Sequence, residues 1–150
     1  MKRIIAIDPG AAGGLAWHDS DGIAQTCPMP EGMTAQADMI RELVFTGIGP
    51  DAKPVTVILE KVGTYMPGNS GPAACKFARH CGHLEAALYT LGASVIQVTP
   101  QKWMKAVGTW PKDKQERKRA IKEEMARRYP HLTVTLKTAD ALGLLTWGMM

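Results

Sequence analysis

Three carboxylates in this chain stand where one apolar run ends or another begins. Asp8 closes Arg3-Ile4-Ile5-Ala6-Ile7 and is followed by Pro9-Gly10, and Glu60 closes Val55-Thr56-Val57-Ile58-Leu59. Asp140 lies just inside a C-terminal segment, Thr138-Ala139-Asp140-Ala141-Leu142-Gly143-Leu144-Leu145. If the first two runs are neighbouring strands and the last is a helix packed across their ends, the three acids converge. Like charges that close repel unless divalent cations neutralise them. Carboxylate oxygens suit Mg²⁺ or Mn²⁺, and two such ions about 4 Å apart can activate a water and stabilise the leaving oxygen of a phosphodiester. Asp8 and Glu60 are the rigid part of such a site, and Asp140 reaches in near the positive end of its helix dipole. Each acid also has a plain structural reading: an Asp-Pro-Gly turn, a charge emerging at a strand end, and an acid behind the helix cap Thr138. It is their joint placement that points to phosphoryl chemistry.

The elements that must position them can be read from periodicity. Runs at 3–8, 13–18 and 22–27 are separated by turn residues, Pro9-Gly10-Ala11-Ala12 and Asp19-Ser20-Asp21-Gly22, which predicts an antiparallel meander. Apolar spacing predicts a helix over 34–46 with Thr34 as its N-cap, ending near Gly47. A linker at 47–54 leads to a strand at 55–60, a breaker-rich loop at 62–72, a helix at 73–91 and a strand at 93–98. A short helix near 101–107, a turn at 108–111, a helix over 113–128 stopped at Pro130 and a last helix from Thr138 complete the chain. This order predicts an α/β fold of three layers, with a five-stranded mixed sheet (three antiparallel strands, then two parallel) flanked by helices.

Charge is unevenly spread. Residues 102–128 hold ten Lys or Arg against four Asp or Glu, a net +6 in a chain of +4, which leaves the remainder at −2. A basic segment beside a separate acidic cluster fits a polyanion held over a metal site; the plainer reading is a solvated helix with internal ion pairs. The candidate DNA contacts are Lys76, Lys102, Lys105, Lys112, Lys114, Arg117 and Lys118. At 150 residues the chain is expected to form one domain. No apolar run approaches the ~20 residues of a membrane span, so no membrane partner is expected. The three cysteines, Cys27, Cys75 and Cys81, are an odd count without framework spacing, which suggests reduced thiols and a cytoplasmic setting.

The quoted motifs reach a family. Ile5-Ala6-Ile7-Asp8-Pro9-Gly10 with Gly13-Gly14-Leu15-Ala16, then Leu59-Glu60-Lys61-Val62, then Ala139-Asp140-Ala141-Leu142-Gly143-Leu144, resembles the RuvC-type Holliday junction resolvases. The likeness spans nearly the whole chain, including Thr99-Pro100-Gln101-Lys102-Trp103 and Lys105, and is nearest the compact versions found in phages. It implies an RNase H-like fold and a homodimer, in the cytoplasm of a bacterial host if phage-encoded. It also implies Mg²⁺ or Mn²⁺ on Asp8, Glu60 and Asp140, and paired nicking of four-way DNA junctions. The sequence departs at one position: where the family often has a further acid or a histidine, this chain has Lys137. A protonated lysine cannot ligate a metal. It is a candidate catalytic residue as a charge on the scissile phosphate, or the mark of a junction-binding protein with weakened catalysis. An RNase H-like nuclease of other substrate preference would share the same acids.

Other residues invite competing readings. Cys75, His80, Cys81 and His83 look like zinc ligands, but 80, 81 and 83 do not share a helical face and no CxxC spacing exists. Tyr65 and Met66, at the tip of the 62–72 loop, could wedge between bases where stacking is already broken, or fold back onto their own domain. Trp103 is expected in the core and Trp110, beside Pro111, at the surface. Ala73, Ala74, Ala78, Gly82, Ala86 and Ala87 give the 73–91 helix a small-residue face suited to a two-fold partner. No GxxxxGK[ST] loop supports nucleotide-driven chemistry.

Overall fold

Alternation within the two strands that end in acids fixes the layering. The computed structural model describes residues 3–19, 21–46, 54–63, 68 and 70–150, so Tyr65 and Met66 lie outside the described residues. β1 (Ile4–Asp8), β2 (Gly14–His18) and β3 (Ala24–Pro28) form the expected antiparallel meander, β4 (Thr56–Glu60) adds parallel to β1, and β5 (Ser94–Val98) adds parallel to β4. The strand order is β3-β2-β1-β4-β5. Ile5, Ile7, Val57 and Leu59 point to one side of the sheet, under α1 (Met33–Phe45) and α2 (Gly71–Thr90), with Ile40, Leu43, Leu84 and Leu88 completing that core. Ala6, Ala16, Ala24 and Ile58 point to the other side, under α3 (Pro100–Val107), α4 (Lys114–Arg128) and α5 (Ala139–Gly148). Because side chains alternate, Asp8 and Glu60 also project to this second side.

α5 is apolar nearly all round, with Ala139 and Ala141 through Thr146 buried, the pattern of a helix enclosed by its own protein. Small residues on the strands beneath let it sit close. Ala6 pairs with Ala16 across the sheet, and a Cβ on Gly14 would lie 2.6 Å from the Lys137 carbonyl and 2.8 Å from that of Cys27. Both are backbone atoms, so neither can swing away.

Helix starts differ from expectation in three places. α1 begins at Met33 with Gly32, at φ 85°, in the cap position, so Thr34 lies inside the helix. α2 begins at Gly71, two residues earlier than expected. Ser70 caps it by accepting from the Ala73 N–H at 3.3 Å, and Pro72 sits in the first turn. Ser-Gly-Pro reads as a breaker run but serves as a start signal. Thr138 does not cap α5 with its side chain; its Oγ1 turns back to accept the Thr135 N–H at 3.0 Å. Thr99 and Asp113 do cap α3 and α4, accepting from Lys102 at 3.4 Å and Glu116 at 2.9 Å. No helix among the described residues is long and apolar enough to cross a membrane.

The close approach at Gly14 gives a first test. Gly14→Ala should destabilise the protein by about 1–3 kcal/mol through overpacking against fixed backbone, seen as a lower urea midpoint with an unchanged slope.

Candidate active site

One register step beyond the Ile7–Leu59 pair, β1 and β4 end in Asp8 and Glu60. Asp140 lies in the first turn of α5, which packs on β1. Asp8 and Asp140 are half-buried, and Glu60 is buried at 7% exposure. The three acids therefore share one poorly solvated region and feel one another. Burial holds Asp8 well above the ordinary carboxylate range, and the charges of Glu60 and Asp140 add to the rise. Burial pushes Glu60 up to about 7 against the pull of a hydrogen bond from Trp103, with Asp140 adding to the rise. Asp140 is raised by burial and drawn back by Lys118 and Arg117 of α4; Lys118 also lowers Asp8.

The donor set is chemically apt for a hard divalent cation: three carboxylates, all oxygen, each costly to leave charged without a counter-ion. Among the described residues no three acid, His or Cys side chains stand close enough together to hold a metal ion as they are placed. The acids fit such an ion by type, charge and shared location.

Arg117 and Lys118 of α4 are the sequence-derived cations brought to the acids. Arg117 is half-buried and braced, its Nη1 donating to the Lys112 carbonyl at 2.8 Å. Lys105, Lys112 and Lys114 are exposed along the same α3–α4 segment. Lys102 is exposed too, with its Nζ 5.7 Å from the Trp147 ring centroid. Lys76 is exposed on the first half of α2, and Lys137 is exposed in the turn leading into α5. On α2, Ala73, Gly82 and Ala86 are exposed, whereas Ala87 packs on the sheet core. Apart from its chain neighbours and its own helix backbone, no atom among the described residues lies within 4 Å of a Cβ placed on Gly82.

Two tryptophans refine the expectations. Trp103 is fully buried as expected, but its indole Nε1 donates to Glu60 Oε2 at 2.6 Å. Sequence reasoning misses that bond, and the signal for it is general: a core indole must find an acceptor. Trp110 is not a surface residue. It is half-buried, packs on the core and donates to the Met104 carbonyl at 2.8 Å.

No family model and no curated protein matches this chain. Solved structures do. The RuvC of Thermus thermophilus in complex with a Holliday junction substrate superposes with a TM-score of 0.60 at 16% identity, covering 98% of this chain and 92% of that one. A second Thermus thermophilus RuvC structure gives 0.57 at 17% identity, covering 97% and 92%. The fold is the RNase H-like fold of RuvC.

The raised acids set a pH dependence. In the metal-free protein, Glu60 titrates near 7 when folded and near the ordinary glutamate value of 4.5 when unfolded, so the folded chain binds more protons between those values. Its contribution to stability is full below about pH 4.5 and lost as pH rises through about 7. Buried His18, whose pKa is lowered, acts in the opposite sense, losing its contribution as pH falls. Urea unfolding in chelator at pH 5 and pH 8 should show Glu60→Gln gaining stability relative to wild type at pH 8. Equal offsets at both pH values would contradict the assignment.

Proposed function

We propose that this protein is a divalent-metal-dependent endonuclease that resolves four-way or similarly branched DNA by paired phosphodiester hydrolysis. The observation that carries the reading is the meeting of Asp8, Glu60 and Asp140 at the ends of β1 and β4 and the start of α5, in a fold shared with a junction-bound RuvC. In this reading the three carboxylates hold Mg²⁺ or Mn²⁺, which when bound supplies an activated water and charge neutralisation at the phosphate. The chain's own residues do the rest. The strand ends fix Asp8 and Glu60, and α5 brings Asp140 to them. Lys118 and Arg117 offset the negative charge from the side of α4. Lys137, exposed in the turn that leads into α5, is the further cation assigned here to the scissile phosphate. The exposed lysines of α3, α4 and their connection, with Lys76, grip the DNA backbone, which explains why the basic excess lies in one stretch. Two matched cuts need two equivalent sites, so the working unit is a two-fold dimer, joined through the small-residue surface of α2.

The direct test is incubation with a labelled four-way junction, a duplex and an RNA–DNA hybrid, each in Mg²⁺, Mn²⁺ or chelator. Symmetric nicks confined to the junction and dependent on metal are expected. Cleavage of the hybrid alone would move the substrate to RNA. Tight junction binding without cleavage in either metal would make the chain a binding protein. Asp8→Asn, Glu60→Gln and Asp140→Asn should each slow cleavage by about a thousandfold, the several kcal/mol that such metal chemistry supplies, with junction binding retained. Wild-type rates in any one variant would remove that residue from the site.

Binding has its own signature. Neutralising exposed Lys105, Lys112, Lys114 and Lys118 together should weaken junction binding and flatten its salt dependence, by roughly 0.9 in slope for each duplex phosphate that is no longer neutralised. An unchanged slope would assign these lysines to solubility.

A further inference from the structure

Trp103 makes two approaches that bear on the acids, one a hydrogen bond and one a packing contact. Its Nε1 donates to Glu60 Oε2 at 2.6 Å, a short buried bond between residues 43 apart in sequence. Its six-membered ring lies under Gly143 of α5, where an added Cβ would fall 2.5 Å from Cζ3 and 2.8 Å from Cη2. Gly143 is three residues after Asp140 and so lies on the same helical face. A single buried side chain thus bonds one of the three acids and supports the helix that carries another. Leu or Phe would fill much of the same space without an N–H that must be satisfied.

We propose that Trp103 is a positioning residue that holds the Glu60 carboxylate in one orientation and sets the height of α5 at Asp140, so that one indole governs the spacing of the metal-binding acids. The inference rests on the metal-dependent reading above. Its physical logic is that of an outer-shell partner. Glu60 Oε2 is held by the indole, the remaining lone pairs are left for a cation, and the carboxylate cannot rotate without breaking a buried bond. Loss of such partners typically costs 10–100-fold in metal affinity.

The test is Trp103→Phe, which keeps a ring beneath Gly143 and removes the N–H. Mn²⁺ affinity by calorimetry should fall about 10–100-fold, and junction cleavage at subsaturating metal should fall with it. The melting curve in chelator should remain cooperative. In a Glu60→Gln background the same change should have no further effect on metal binding, since the partner it acts through is already altered. A folded Trp103→Phe variant with Mn²⁺ affinity and cleavage within about twofold of wild type would overturn the proposal, as would a full effect persisting beside Glu60→Gln. Should the variant not fold, the wild-type protein decides: the Trp103 indole N–H resonance should shift on Mg²⁺ addition, and a stationary signal would overturn the proposal. A wild type that binds no Mn²⁺ and cuts no junction would end both readings. An active wild type with an indifferent Trp103→Phe ends this one alone.

Discussion

Asp8, Glu60 and Asp140 are held close in poorly solvated surroundings, where the charge of one raises the free energy of another's charged form. Much of the architecture is intelligible as an answer to that repulsion. Two of the acids are tied to adjacent parallel strands, where neither backbone can retreat without unzipping a ladder. α4 brings Arg117 and Lys118 to the same place. Its own anchorage is apolar, through Ile121 and Met125, which pack with α5 in one core. The helical insertion at 100–128 therefore has one side for packing and one for charge. On α4 that packing side is narrow, because few of its residues are buried.

The two sides of the sheet meet their helices differently. Toward α1 and α2 the strands present Ile5, Ile7, Leu15, Val57 and Leu59, bulky residues that keep those helices at ordinary distance. Toward α5 they present Ala6 and Ala16 beside Ile4 and Ile58, with Gly14 beneath the Lys137 carbonyl. A short separation on that side lets an acid on a helix reach acids at strand ends. Tyr129 and Thr146, hydrogen-bonded at 2.9 Å within the same core, tie α5 to the end of α4. Cations and acid are thereby fastened to one unit.

Strands and acids are legible in the sequence because both obey short-range rules. Alternation over five residues marks a strand, and an acid at its end is conspicuous. The mixed sheet and its order follow from the element sequence. What escapes has causes of three kinds. The cap of α1 falls at Gly32 and not at Thr34, and α2 starts before its apolar run because Ser70 caps it. The indole bond to Glu60 joins residues 43 positions apart, and nothing local announces it. Trp110 reads as exposed because it lies between a glycine turn and a proline, yet its ring folds back toward Gly108 and its N–H reaches Met104. The placement of Arg117 and Lys118 against the acids is likewise hidden, because charge counting shows how many cations a helix has and not which way they face.

The row of alanines beneath α5 has a consequence for how such a chain can diverge. Bulky cores drift readily, since one large side chain can shrink as its neighbour grows. Where Ala6, Ala16 and Gly14 face α5 there is little slack to trade: a change at these positions is an enlargement, and each enlargement lifts the helix that carries Asp140. Substitutions should therefore accumulate on the α1–α2 side and be purged on the other, so that lineages sharing this fold can lose overall identity while keeping a short signature of small residues around their acids.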